Sequence, residues 1–156
     1  MANCRKYSFP FANTPPAAST TVPIAGVNGS AAVRVRILEM LYGSDTAPAN
    51  AATQLQIKRI TTALASGTAV TPSPVDFADP ACVSTAMQGP SIAAPTITAI
   101  SPLWQVALNQ NNTMREFFQD GYELTVPATA NNGLCLLPAA IAGTAYDIVG
   151  TWWFTE

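Results

Sequence analysis

Two groups of carboxylates are the residues whose type and spacing come nearest to chemistry. Asp76 and Asp79 lie close together in a proline-rich stretch, and Glu116, Asp120 and Glu123 gather around one predicted hairpin. Glycoside hydrolysis needs two opposed carboxylates about 5 to 9.5 Å apart, one to protonate the leaving oxygen and one to attack or to activate water. Spacing along the chain leaves that distance open, and each group has a simpler reading. Aspartates close turns by bonding their own backbone, and glutamates on alternating strands stand in solvent. A calcium loop would repeat Asp and Asn ligands at fixed intervals, and neither group does so.

No histidine is present. That removes the commonest general acid–base group, a common metal ligand and every Ser-His or Cys-His nucleophile pair. The three cysteines, Cys4, Cys82 and Cys135, are odd in number and widely spaced, which fits neither a disulfide framework nor a zinc cluster. Cys135 lies in an apolar run and reads as a buried small hydrophobe. The nine glycines stand singly, without a phosphate-cradling loop. An enzyme is therefore not expected, and neither is a metal or a cofactor.

At 156 residues the chain has the size of one domain. Charged residues make up 10% of it, against about 25% in ordinary globular domains. A surface so poor in charge relies on neutral polar residues or is covered by partner proteins. The net charge of −2 offers no field for a phosphate backbone, so nucleic acid is not an expected partner. No polybasic or amphipathic segment suggests a membrane surface. The run Leu134 to Ala142 is interrupted by Pro138 and is too short to span a bilayer. The first residues lack the apolar stretch of a secretory signal, so synthesis and use from the cytoplasm are expected.

The elements that would position these residues read as strands. In residues 1–30, Pro10, Pro15, Pro16 and Pro23 disfavour helix, while Tyr7, Phe9 and Phe11 recur at every second position. The expectation is an extended arm, packed on its own domain or on a neighbour, with these three rings as anchors. Residues 31–156 form the body. Val33, Val35 and Ile37 alternate with Arg34 and Arg36, and Leu55 and Ile57 alternate with Gln54, Gln56 and Lys58. A long connection from Ser66 to Pro102 carries six prolines, with Asp79-Pro80 suited to start a short helix and Thr96 to Ile100 as a brief edge strand. Further strands follow: Trp104 to Leu108, Thr113 to Phe118, Tyr122 to Val126, Leu134 to Leu137, and a last one placing Tyr146, Ile148, Trp152 and Phe154 on one face. Asp120-Gly121 and Asn132-Gly133 supply hairpin turns. Many short strands with little helix predict an all-β fold, a single antiparallel β-sandwich, with a jelly roll as the first choice of topology.

Adjacent strand residues face opposite ways, so Trp152 is expected in the core and Trp153 outside it, at an interface or under a second layer. An aromatic platform for a sugar, built on Trp153 or Trp104, is the sharper alternative.

From Arg34 to Glu156 the order of motifs resembles a known group. It includes Arg34-Val35-Arg36-Ile37-Leu38-Glu39, Gln54-Leu55-Gln56-Ile57-Lys58-Arg59, Thr71-Pro72-Ser73-Pro74-Val75-Asp76, Pro127-Ala128-Thr129-Ala130-Asn131-Asn132-Gly133-Leu134 and Phe154-Thr155-Glu156. The sequence is similar to the head decoration or cement proteins of tailed bacteriophages, in particular those of cyanobacterial and other aquatic phages. The resemblance implies a β-sandwich that binds the major capsid protein on the outside of the virion, as a homo-oligomer (trimer or dimer), and braces the shell against packaged DNA. A carbohydrate-binding or host-adhesion module, and a minor tail or baseplate component, are the alternatives.

Overall fold

The computed structural model describes residues 5–13, 18–44, 48–98, 101–142 and 146–156. Cys4, Pro15, Pro16, Asp45 and Ile100 lie outside them. Among the described residues there are twelve strands and no helix. They are β1 (Lys6–Asn13), β2 (Ala25–Asn28), β3 (Val35–Ser44), β4 (Ala52–Ile60), β5 (Thr68–Val70), β6 (Ser73–Pro74), β7 (Thr85–Gln88), β8 (Trp104–Asn109), β9 (Met114–Phe117), β10 (Leu124–Val126), β11 (Gly133–Ile141) and β12 (Ile148–Thr155).

These strands form two antiparallel sheets packed face to face. The first runs β10-β3-β12-β1-β6, with β9 also beside β3; the second runs β5-β7-β2-β11-β4-β8. Period-two alternation builds the space between them. From the first sheet, Ile148, Trp152 and Phe154 of β12 point inward; from the second, Leu55 and Ile57 of β4 and Leu134 and Leu136 of β11 meet them in one buried cluster. In β3 the alternation changes phase. Phe154 pairs with Ile37 and Trp153 with Glu39, so Leu38 is the extra residue of a β-bulge. That one residue turns Val35 and Ile37 before it, and Met40 and Tyr42 after it, all toward the core.

The expected arm is a strand of the sandwich. β1 pairs along its whole length with β12, from Lys6 opposite Thr155 to Asn13 opposite Ile148. Tyr7, Phe9 and Phe11 are buried, at 0%, 0% and 4% exposure, so in this structure they are core residues of their own chain rather than exposed anchors of an arm. Tyr7 stacks on Phe154 at 5.8 Å, and Phe9 and Phe11 meet the edge of Trp152 at 6.1 and 6.4 Å. Pro10 is compatible with this because of where its missing donor falls. Ala12, two residues on, gives its N–H to Gln88 Oε1 at 2.9 Å, so this parity of β1 faces away from β12. β6 covers only Tyr7 and Ser8 on that side, and Pro10 therefore removes no ladder bond. β2 also falls within residues 1–30, between β7 and β11. The boundary expected near residue 30 divides a single sandwich and is not a domain boundary.

Other expectations shift for local reasons. The connection from Ser66 to Pro102 contains β5, β6 and β7, and Asp79-Pro80 begins no helix. Of the expected strand from Thr96 to Ile100, the described part contributes an isolated bridge between Ile97 and Ile60. This connection also covers the outer face of the second sheet, where Ile60, Leu64, Ile92, Cys135 and Leu137 form a second buried cluster. β11 is thus buried on both faces, which is why its sequence is continuously apolar rather than alternating. Gly133 opens β11 rather than making the turn. The positive φ, 67°, belongs to Asn131, and a Cβ on Gly133 would lie 2.5 Å from the carbonyl oxygen of Val27. Tyr122 lies before β10 and is exposed.

Candidate interaction surface

The two carboxylate groups sit at opposite edges of the first sheet: Asp76 and Asp79 past β6, and Glu116 on β9 with Asp120 and Glu123 between β9 and β10. Each is engaged locally. Asp76 accepts the Ala78 N–H at 2.9 Å and its carbonyl accepts the Asp79 N–H at 3.0 Å, a closed turn. Glu123 accepts the Gly121 N–H at 2.9 Å. Its own backbone N–H and that of Gly121 hold its carboxyl below the usual carboxylate range. Among the described residues no group of His, Cys, Asp or Glu is arranged to hold a metal ion. A pocket of about 630 Å³ lies over β1, β12 and β3, lined in part by Pro10, Ala12, Leu41, Gly43, Val149 and Thr151. Among the described residues no carboxylate, thiol or cation lines it, and what it presents is shape and apolar contact.

The two thiols among the described residues, Cys82 and Cys135, are placed for inertness. Cys82 is pushed up to about 12, first by burial and then by the charge of Glu156; burial likewise pushes Cys135 up to about 12. Since the thiolate is the nucleophile, a rise of this size lowers native reactivity by about a thousandfold. In a Cys4→Ser variant, alkylation near pH 8.5 is expected to be slower than in the unfolded chain by about that factor, and equal rates would contradict the burial. Well below pH 9 both states keep these protons and pH has no effect through them. Between 9.0 and about 12 the unfolded chain loses protons that the fold retains, so stability falls as pH rises through that window.

Five large apolar side chains stand exposed among the described residues. Phe77 is fully exposed, with Val75 and Val83 on the same connection, while Phe117 and Tyr122 are 59% and 77% exposed beyond the other edge of the sheet. The segment carrying Phe77 is tied down around the ring. Val75 donates its N–H to the Lys6 carbonyl at 2.8 Å, and the Tyr7 hydroxyl donates to the Pro80 carbonyl at 3.1 Å. Glu156 takes the N–H groups of Val83 and Ser84 on its two carboxylate oxygens, at 2.7 and 3.1 Å. Phe77 is therefore held out by a tethered loop. At the other edge, Arg115 pairs with Glu39 and lies 4.5 Å from the centre of the Phe117 ring. Phe117, Phe118, Tyr122, Glu116 and Gln119 surround a depression of about 290 Å³.

Trp153 is half-buried on the outward face of the first sheet, between Ser8 of β1 and Glu39 of β3. It is the one expected contact residue on an outward face. Trp104 is half-buried against the core, 5.8 Å from Tyr42, and is no free platform. Phe77, Phe117 and Tyr122 are not among the expected contacts. The Phe117-Phe118 doublet carries a signal for one of them, because neighbouring strand residues cannot both face inward. Phe77, within a proline-rich loop, carries none. No family model matches the chain, and no curated protein or solved structure matches it.

Proposed function

We propose that the chain is a non-catalytic structural protein of a tailed-phage virion, docking on the outside of the capsid as a cement or decoration protein. The observation that carries this reading is Phe77, a wholly exposed ring on a loop anchored by Lys6, Tyr7 and Glu156. An aromatic ring held out in solvent at a fixed position suits an interface anchor, since aromatic side chains dominate binding hot spots. The strand order supports a jelly-roll scaffold. With β5, β6 and β7 set aside, β9 and β10, β3, β12 and β1 make one sheet and β2, β11, β4 and β8 the other, the interleaving of two Greek keys. A protein that binds an assembled lattice better than free subunits adds its binding energy to the shell, and many weak contacts act together through avidity. Low charge keeps the desolvation cost of such a face small.

The test is co-sedimentation with capsid shells of the virus that encodes the chain. Phe77→Ser is expected to leave stability within about 0.5 kcal/mol of wild type and to weaken shell binding by about tenfold or more. Undiminished binding by the variant would reject Phe77 as the anchor, and no binding by the wild type would reject the reading.

The aromatic depression around Phe117 and Tyr122, with Glu116 and Gln119 at its wall, favours a carbohydrate-binding module as a second reading. Binding on a glycan array that is lost in Tyr122→Ala would support it.

A further inference from the structure

β8 differs from every other sheet edge among the described residues. β5, β6 and β10 are two or three residues long, β9 carries Arg115 and Glu116, and the part of β1 beyond β6 holds Pro10. Short length, charge and proline are the devices by which natural sheets keep edges from pairing. β8, Trp104-Gln105-Val106-Ala107-Leu108-Asn109, is six residues long and has neither charge nor proline. β4 pairs with one side of it, and no strand among the described residues lies on the other. Its inward side chains are also incompletely covered. Trp104, Val106 and Leu108 are half-buried, whereas Leu55 and Ile57 of β4 beside them are fully buried.

From this contrast we infer that β8 is a self-association edge, pairing antiparallel with β8 of a second copy about a two-fold axis normal to the sheet. The chemistry of the edge selects its occupant. Unpaired backbone N–H and C=O groups accept an extended strand. A two-fold at Ala107 brings the residues nearest it close to their own images, so a charge there would meet its like. The absence of charge suits β8 to its own copy. With Ala107 opposite Ala107, Val106 falls opposite Leu108 on the inward face and Gln105 opposite Asn109 on the outward face. Two six-stranded sheets then run on as one, and the half-buried apolar row is covered. This inference is independent of what the molecule docks on.

Sedimentation equilibrium of the full chain tests it, with a dimer of twice the 16.3 kDa chain mass as the expected species. Ala107 is exposed and outward-facing, so Ala107→Lys and Ala107→Glu are each expected to remain folded and to weaken the dimer by about tenfold or more. Mixing the two variants is expected to restore a dimer, since unlike charges then face each other. A monomeric wild type, or a dimer indifferent to Ala107→Lys, overturns the inference. Should the variants fail to fold, amide exchange of the wild type decides. Protection of residues 105–109 that rises with protein concentration supports the edge, and protection independent of concentration overturns it.

Discussion

Replacing Trp152 by alanine is expected to lower the free energy of unfolding by about 3–5 kcal/mol, read as a shift of the denaturant midpoint. Trp152 is wholly buried where the two longest-paired strands of its sheet, β1 and β3, flank β12. Phe9 and Phe11 pack against it edge-on from β1. Its indole N–H donates to the Tyr42 hydroxyl at 2.8 Å, and that hydroxyl donates in turn to the Met40 sulfur at 3.1 Å. Alanine leaves a cavity lined by rings that cannot close it, and it removes the donor to a fully buried oxygen. Domains of this kind are stable by about 5–15 kcal/mol in all, so the variant should lie near the edge of folding. Trp152→Phe fills most of the space and isolates the lost hydrogen bond, at about 1–3 kcal/mol. A Trp152→Ala protein as stable as wild type would mean that the sheets do not meet on this residue.

Deleting residues 1–17 is expected to abolish the fold. The deletion takes out β1, and with it the partner of β12 over eight residues. It also exposes the core at the positions of Tyr7, Phe9 and Phe11, each large ring worth several kcal/mol when removed from a core (about 3–5 for Phe). Far-ultraviolet circular dichroism and the dispersion of amide resonances report the result directly. A truncated chain with native strand content and dispersed resonances would show that β1 is dispensable and restore it to the role of an arm.

How far the sequence discloses this architecture depends on the length of each alternation. β3, β4, β11 and β12 are long, and their apolar periods or runs stand out from the turn residues around them. The alternation of Tyr7, Phe9 and Phe11 is equally clear, yet the prolines within and after it favour an arm. What decides the matter is the partner strand β12, more than a hundred residues away, and the open side of β1 on which Pro10 falls. β2, β5 and β7 are three or four residues of mostly small side chains, too short for a period to emerge. The bulge at Leu38 is invisible for a related reason: its only effect is to shift phase, and a phase shift within an apolar strand leaves the strand apolar.

The surface is less legible than the core. Trp153 follows from the geometry of a strand doublet, because its neighbour Trp152 claims the inward side. Phe77 belongs to a segment outside the strands, where no alternation assigns a face, and Tyr122, which the sequence alternates with Leu124 and Val126, falls just before β10 and is exposed. The exposure of Phe77 is set by tethers distant in sequence, such as Glu156 on Val83 and Ser84. The absence of histidine is, by contrast, a property of composition alone, and it narrows the accessible chemistry however the chain folds.

Locating the chain in a reconstruction of the virus particles proposed to carry it tests the proposed docking role most directly. A cement role predicts density for the sandwich on the outer capsid surface, with the Phe77 loop seated against the shell. Density confined to the tail, or none on the particle at all, would contradict it.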